Sequence, residues 1–97
     1  MMVRKEAIIK NKTGLHARPA ARFVQLTKKY QSELKIICDD REVNAKSIMG
    51  VLSIGAVKGK KIILVADGKD EKEAVAEMVQ FIEDELSAID QDNLAKE

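Results

Sequence analysis

The sequence predicts an α+β fold in which helices cover one face of a mostly antiparallel sheet and leave the other face to solvent. Three observations support this prediction. The elements follow the order strand, helix, strand, strand, short helix, strand, helix, which is not the regular alternation of a doubly wound sheet. The length of 97 residues suits one core and leaves no room for a separate cofactor-binding domain. The hydrophobic fraction of 45% provides the apolar material for that core.

The first two elements are a strand and a helix. Residues 4–10 contain a short apolar run and end at a turn-like stretch over 11–14. From residue 17 onwards, apolar side chains recur at helical spacing, which predicts an amphipathic helix that buries one face. The predicted apolar face comprises Ala17, Ala20, Ala21, Phe23, Val24, Leu26 and Tyr30.

A β-hairpin is predicted next. Residues 33–38 alternate apolar and polar side chains, the pattern of a half-buried strand. Asp39 and Asp40 then turn the chain into a second strand over 41–44. The side chains expected to face the core are Leu34, Ile36 and Cys38.

A short helix and a strand follow the hairpin. Residues 47–53 predict a short helix with Ser47 as its N-cap and Gly55 just beyond its end. Residues 60–66 are β-branched and apolar, which makes them the clearest strand in the chain. We expect this strand to lie in the centre of the sheet.

The last predicted element is the longest helix. Asp70 and Glu73 form a possible cap at its start, and apolar residues continue at helical spacing as far as Leu86. The tail over residues 89–97 loses this pattern and is expected to fray. We therefore place the single domain at residues 1–88.

The composition argues against several classes of protein. A single cysteine cannot form an internal disulfide, and no Cys/His spacing is typical of a metal site, so we expect no metal and no other cofactor. The sequence has no apolar stretch long enough for a signal peptide or a membrane-spanning helix. We expect a soluble cytoplasmic protein that does not insert into membranes.

Charge is balanced overall but unevenly distributed. The formal net charge is +1, yet residues 1–50 carry 11 basic and 5 acidic side chains and residues 51–97 carry 6 and 11. The basic half favours an acidic partner, although solvated helix faces explain it equally well. A nucleic-acid surface is the weaker alternative, because the chain has no Trp and only three aromatic residues. The basic residues concerned are Lys12, Arg18, Arg22, Lys28 and Lys29.

The only histidine lies between a turn and the predicted start of a helix. His16 is followed by Pro19, which suits a first helical turn because amides there have no intrahelical partner. An unprotonated imidazole is a nucleophile, and a phosphoryl group on it would lie beside those anion-binding amides. Further phosphate contacts are expected from the Arg18 guanidinium, the Thr13 hydroxyl and the amide of Ala17. On local grounds alone, a capping role explains His16 equally well.

Two segments resemble one protein family. Residues 14–21, GLHARPAA, resemble the phosphorylation-site motif of HPr, the histidine-containing phosphocarrier of the bacterial phosphoenolpyruvate:sugar phosphotransferase system. Residues 44–52, NAKSIMGVL, resemble the second motif of that family, around a regulatory serine. The resemblance extends from about residue 3 to about residue 86.

The resemblance implies both a fold and an activity. The fold would be an open-faced β-sandwich, with a four-stranded antiparallel sheet and three helices on one face. His16 would accept a phosphoryl group from phospho-enzyme I, assisted by Arg18, and would donate it to the IIA domains of sugar permeases. The protein would then be a phosphocarrier that forms a transient phosphohistidine, and not a turnover enzyme.

The second motif implies regulation and partner binding. Ser47 would be phosphorylated by an HPr kinase/phosphorylase, although a purely structural N-cap explains this serine on local grounds. Ile48, Met49 and Leu52 would form an apolar docking patch, with core packing as the alternative for Ile48 and Leu52. Many HPr sequences carry methionine or phenylalanine where Leu52 stands, so the patch departs from the family here.

Two other functions compete with phosphotransfer. The first is a regulatory module similar to Crh, an HPr paralogue without the histidine that acts as a corepressor in carbon catabolite control. The presence of His16 argues against it, although binding to a catabolite-control transcriptional repressor can coexist with phosphotransfer. The second is a thiol enzyme pairing Cys38 with His16, which is disfavoured because Cys38 lies mid-strand among apolar neighbours. We expect no direct contact with nucleic acid.

Overall fold

A computed structural model describes residues 2–10 and 14–86. The predicted order of elements is confirmed within these residues. The strands are β1 (Met2–Ile8), β2 (Glu33–Cys38), β3 (Arg41–Asn44) and β4 (Lys61–Asp67). The helices are α1 (Ala17–Thr27), α2 (Ile48–Ser53) and α3 (Glu71–Gln80), and a π-helical turn over Phe81–Glu85 extends α3. The tail predicted at residues 89–97 lies outside the described residues.

The four strands form one antiparallel sheet in the order β1-β4-β2-β3. β4 therefore lies between β1 and β2, which confirms its predicted central position. In the register, Ile36 of β2 is opposite both Leu64 of β4 and Val43 of β3. The three helices cover the face on which these side chains lie, so the predicted α+β architecture is confirmed. β1 begins two residues earlier than the predicted strand and ends at Ile8.

The inward side chains of the strands meet those of α1 and α3 in one core. Leu34, Ile36 and Cys38 are buried as predicted. The Phe23 ring of α1 packs against the Phe81 ring of the π-helical turn, with 5.5 Å between the ring centroids. This contact joins the two long helices above the sheet.

The predicted apolar face of α1 is wrong at its first residue. Ala17 is exposed at the helix start, whereas Ala20, Phe23 and Val24 are buried. Thr27 completes the buried face, and its hydroxyl lies within hydrogen-bonding distance of the Val24 and Ala45 carbonyl oxygens, at 3.0 and 2.8 Å. Hydrophobic periodicity misses Thr27 because its burial depends on these acceptors and not on an apolar side chain.

The predicted cap of α3 is correct in position but not in its hydrogen bonds. Asp70 occupies the N-cap position, but its side chain makes no capping hydrogen bond to the helix. Its carboxylate instead accepts the backbone N–H groups of Gln31 and Ser32, at 2.9 and 3.0 Å, and the Ser32 hydroxyl. Asp70 therefore joins the start of α3 to the loop between α1 and β2.

We predict that the Asp70 carboxylate makes the protein sensitive to acid. The hydrogen bond from the Ser32 hydroxyl, followed by that from the Gln31 amide, lowers the pKa of Asp70 from 3.8 to about 2. A carboxyl pKa that is lower in the folded state stabilises the fold above about pH 4, and this contribution is lost as the pH falls towards 2. Urea unfolding between pH 2 and 5 should therefore show a steeper loss of stability in wild type than in Asp70→Asn.

The matched control for this prediction is Asp40→Asn, at an exposed position in the hairpin turn. Its unfolding free energy should follow the wild-type pH dependence. If Asp70→Asn also follows the wild-type curve, the hydrogen bonds to Asp70 do not contribute to acid stability.

Candidate functional site

His16 is the N-cap residue of α1. Its backbone is extended, with φ −99° and ψ −165°, and its carbonyl oxygen accepts the N–H of Ala20 at 2.8 Å. Its side chain makes no capping hydrogen bond. The imidazole is therefore not used to cap the helix, so the local alternative drawn from the sequence does not explain it.

The two sides of the imidazole have different surroundings. His16 is partly exposed as a residue, yet its Nε2 atom is buried and has no hydrogen-bond partner among the described residues. An unpartnered buried nitrogen is uncommon in proteins and calls for an explanation. One nitrogen of the ring, Nε2, is therefore closed to an incoming group.

The first turn of α1 supplies polar groups beside the imidazole. Ala17 and Arg18 are exposed, and the first turn carries no acidic side chain. Pro19 has no N–H, and Ala20 is the first residue whose N–H joins the helical hydrogen-bond pattern. The positive end of the helix dipole therefore adjoins His16, and Arg18 supplies an exposed cation in the same turn. Thr13 lies outside the described residues.

The turn before His16 is anchored to the segment that follows α2. The Leu15 N–H donates to the Ala56 carbonyl oxygen at 3.0 Å, and both side chains are buried. α1 and α2 also contact each other directly. No sequence pattern predicts this anchor, because the two residues lie in different loops.

Ser47 is the N-cap of α2, as predicted. Its hydroxyl oxygen accepts the N–H of Gly50 at 3.1 Å. The preceding residue, Lys46, donates from Nζ to the Tyr30 carbonyl oxygen at 2.6 Å, just beyond the end of α1. The start of α2 is therefore fixed against the end of α1, and the Ser47 side chain lies at the partly exposed junction.

The short helix α2 exposes most of its apolar side chains. Only Val51 is buried, whereas Ile48, Met49 and Leu52 are 44%, 82% and 39% exposed. Core packing was the alternative for Ile48 and Leu52, and their exposure argues against it. Val57 is also 55% exposed, and it lies next to Ala56 at the anchor of the His16 turn. We call the three exposed residues of α2, Ile48, Met49 and Leu52, the α2 patch.

Val57 was missed by sequence reasoning. It is a lone valine in a loop, where no periodicity distinguishes an exposed position from a buried one. Its neighbour Ala56 is buried, so burial changes between two adjacent residues of this loop. Adjacent exposed apolar side chains on a small protein commonly mark an interaction site.

The thiol-enzyme alternative is not supported. Cys38 is the last residue of β2 rather than a mid-strand residue, and it is buried. Burial raises the pKa of the Cys38 thiol, and the nearby Asp39 carboxylate raises it further. A nucleophilic cysteine needs the opposite shift, since the thiolate is the reactive form.

Metal-ligand groups and membrane-spanning helices are both absent from the described residues. Over residues 2–10 and 14–86, no group of three or more His, Cys, Asp or Glu side chains is arranged to hold a metal ion. Within the same ranges, no helix is both long enough and apolar enough to cross a membrane.

The family follows from comparison with known proteins. A family model described as "PTS HPr component phosphorylation site" matches residues 3–84. This chain belongs to the HPr family. The match covers both GLHARPAA, which contains His16, and the segment around Ser47. The resemblance inferred from these two motifs is thus confirmed.

Curated relatives include both HPr-like proteins and phosphocarrier proteins HPr. The HPr-like protein Crh of Halalkalibacterium halodurans is 49% identical over 84 residues, which cover 87% of this chain and 100% of that protein. The phosphocarrier protein HPr of Borreliella burgdorferi is 44% identical over 82 residues, which cover 84% of this chain and 95% of that protein. The chain is accordingly an HPr-family phosphocarrier protein by descent.

Solved structures agree with the fold. The phosphocarrier protein HPr of Bacillus anthracis is 38% identical and superimposes with a TM-score of 0.82, covering 84% of this chain and 98% of the other. HPr-C-His of Thermoanaerobacter tengcongensis is 49% identical with a TM-score of 0.79, covering 82% and 90%. The open-faced β-sandwich of HPr is therefore the fold of this chain.

Proposed function

We propose that this HPr-family protein accepts a phosphoryl group from phospho-enzyme I on His16 and donates it to IIA domains of sugar permeases. The observation that carries the proposal is the partly exposed imidazole at the start of α1, within the family's phosphorylation-site motif. As a carrier, the protein ends each cycle in the state in which it began. It therefore needs separate donor and acceptor proteins, and no cofactor.

The closed side of the imidazole selects the attacking nitrogen. Because Nε2 is buried, a phosphoryl group cannot be placed on it without displacing its surroundings. The Nδ1 lone pair therefore attacks phosphorus, and the new N–P bond forms as the bond from phosphorus to the donor breaks. A proton on Nε2 keeps the Nδ1 lone pair available for this step.

The first turn of α1 stabilises the added charge. A phosphoryl group on Nδ1 of His16 lies near the helix start, where the Ala17 amide and the helix dipole favour an anion. The guanidinium of Arg18 supplies a fixed positive charge and several N–H donors for the phosphate oxygens. We propose the Thr13 hydroxyl as a further contact from the preceding turn.

The α2 patch serves as the docking surface. Ile48, Met49 and Leu52 are exposed on α2, and the segment that follows α2 is hydrogen-bonded at Ala56 to the turn that leads into His16. A carrier has to bind enzyme I and IIA domains in succession, and the flexible side chain of Met49 suits a surface that accepts several partners. The exposed apolar area loses its contact with water only when a partner binds.

Ser47 acts as the regulatory site for an HPr kinase/phosphorylase. Its hydroxyl already accepts the Gly50 N–H, and phosphate oxygens are stronger acceptors at the same position. Phosphorylation would add a charge of about −1.5 to −2 at the edge of the α2 patch. Docking of an acidic partner would then become less favourable, while the fold remains unchanged.

A Crh-like regulatory module is the second candidate. The observation that favours it is the 49% identity to the HPr-like protein Crh of H. halodurans. In this role the Ser47-phosphorylated chain would bind a catabolite-control transcriptional repressor through the α2 patch. Phosphate acceptance at His16 separates a carrier from a module that is only regulatory.

We predict that His16→Ala folds but accepts no phosphate. The side chain makes no capping bond, so its loss should leave the circular dichroism spectrum and thermal midpoint close to wild type. Incubation with phosphoenolpyruvate and a heterologous enzyme I should give one acid-labile phosphate on wild type and none on the variant. The control Ser47→Ala should still be phosphorylated, and acid-labile phosphate on His16→Ala would contradict the proposal.

We predict that Arg18→Ala slows phosphotransfer by about tenfold without removing the acceptor. This loss is smaller than that of a donor in a water-excluded site, because Arg18 is exposed. Rapid-quench measurement of transfer to a IIA domain tests the prediction. The matched control, Arg18→Lys, keeps the charge and should lose less; equal rates for wild type and Arg18→Ala would show that Arg18 has no role in the transfer.

We predict that Ser47→Asp weakens binding to enzyme I and leaves the thermal midpoint near that of wild type. Aspartate caps a helix about as well as serine, so the variant adds charge with little structural cost. Its control is Ser47→Asn, which caps the helix without the charge. Calorimetric titration should show lower affinity for Ser47→Asp alone. Equal affinities for both variants would leave Ser47 as a structural cap.

A further inference from the structure

The turn that leads into His16 approaches the segment after α2 too closely for any side chain at Gly14. An ideal Cβ on Gly14 would lie 2.3 Å from the Ala56 carbonyl oxygen and 3.0 Å from the Val57 Cα. Both of these atoms belong to the backbone, so they cannot rotate away as a flexible side chain would. Gly14 also has φ 67°, in the left-handed region that favours glycine.

A hydrogen bond and burial hold this close approach in place. The same Ala56 carbonyl that would meet the Cβ accepts the N–H of Leu15 at 3.0 Å. Leu15 and Ala56 are only 4% and 3% exposed. The residue directly before His16 is therefore fixed to residue 56 by both polar and apolar contacts.

The other side of the contact is the segment that directly follows α2. α2 ends at Ser53. The next four residues, 54–57, include Ala56, whose carbonyl oxygen makes the contact. Ile54 is buried, so this short connection is itself packed against the core. The α2 patch and His16 are consequently held by the same four-residue segment.

We propose that Gly14 is a positioning residue for phosphotransfer, because its missing side chain lets residues 54–57 hold the backbone that orients the His16 imidazole. This inference rests on the function proposed above. Nε2 has no hydrogen-bond partner among the described residues, so no bond from that nitrogen fixes the ring. The backbone on both sides of His16 has to do so: α1 fixes one side, and the Gly14–Ala56 contact fixes the other.

Two other glycines provide matched controls for the variant Gly14→Ala. Gly59 has φ 90°, also positive, and nothing lies within 4 Å of its ideal Cβ, so Gly59→Ala introduces backbone strain without a clash and outside residues 54–57. Gly68 lies in the turn before α3, and its ideal Cβ would lie 2.7 Å from the Ser32 Cα. Gly68→Ala therefore introduces a clash away from His16. Together they separate strain and general destabilisation from displacement of His16.

We predict that Gly14→Ala lowers the transfer rate at saturating phospho-enzyme I by roughly 10- to 100-fold, the range expected for a misplacement of about 1 Å. The KM for enzyme I should stay near wild type, because Ile48, Met49 and Leu52 are unchanged and the start of α2 is still held by the Ser47 and Lys46 hydrogen bonds. The imidazole ¹⁵N spectrum of His16 should change. Gly59→Ala and Gly68→Ala should lose thermal stability but keep the wild-type rate and spectrum, at a temperature where circular dichroism shows every variant folded.

A second variant covers the case in which Gly14→Ala does not fold. Replacing the Leu15 amide by an ester through chemical synthesis removes the N–H donor to Ala56 and adds no side chain. The same loss of rate, with an unchanged KM, is expected. Wild-type transfer by Gly14→Ala, or by the ester if Gly14→Ala does not fold, overturns the proposal, as does an equal rate loss in Gly68→Ala. If wild type itself accepts no phosphate, the proposed function fails instead, and the ¹⁵N spectra still decide whether Gly14 orients the imidazole.

Discussion

Burial of one sheet face beneath the helices is the constraint on which the rest of the structure depends. The inward residues of β2 and β4, such as Ile36 and Leu64, need an apolar cover, and α1 and α3 supply it through Phe23 and Met78. Once α1 lies across the sheet with this face down, its first turn necessarily emerges at the edge of the core. His16 is placed there by the packing of the helix behind it and by the hydrogen bond between Leu15 and Ala56 in the preceding turn.

The same constraint explains why α2 has an exposed apolar side. A helix of six residues offers the core little more than one position, and Val51 occupies it. The remaining apolar side chains of α2 face solvent, which lowers the stability of the isolated protein relative to a fully buried arrangement. Such an exposed apolar surface is expected where partner proteins cover it. The polar contacts at the Ser47 end keep the helix in place without burying it.

The far end of α1 is held by polar contacts. The Tyr30 hydroxyl donates a hydrogen bond to the Glu77 carboxylate of α3. Lys29 forms an ion pair with the same carboxylate at 3.1 Å. The hydrogen bond to Glu77 raises the pKa of Tyr30 to about 12, so the phenol stays protonated throughout the physiological range. Exposed ion pairs contribute little stability on their own. Their arrangement nevertheless fixes one end of α1 to α3, while the other end presents His16.

How much of this was predictable from the sequence depends on the range of each contact. β2 and β3 match their predicted bounds, and the Ser47 cap is local, because alternation and capping depend on near neighbours. The hydrogen bonds of the Asp70 side chain were wrongly predicted, because its partners, Gln31 and Ser32, lie 39 and 38 residues away. Hydrogen-bond donors from a distant loop leave no periodic signal.

The site divides in the same way. His16 and Ser47 were predicted as site residues from two motifs, and the side chains of Ile48, Met49 and Leu52, predicted from the second motif, are exposed. The structure alone supplied the contact between Gly14 and Ala56, the exposed Val57 and the burial of one imidazole nitrogen. Each of these depends on loops that meet in space, which composition and spacing do not encode.

The most direct test of this account is to identify which atom of the protein carries the phosphoryl group. The protein labelled with ¹⁵N in its histidine should be phosphorylated with phosphoenolpyruvate and enzyme I, and examined by NMR for ¹⁵N–³¹P coupling within the imidazole ring. Because Nε2 of His16 is closed, we expect the coupling at Nδ1. Phosphorus bonded to Nε2, or to any other residue, would contradict the account.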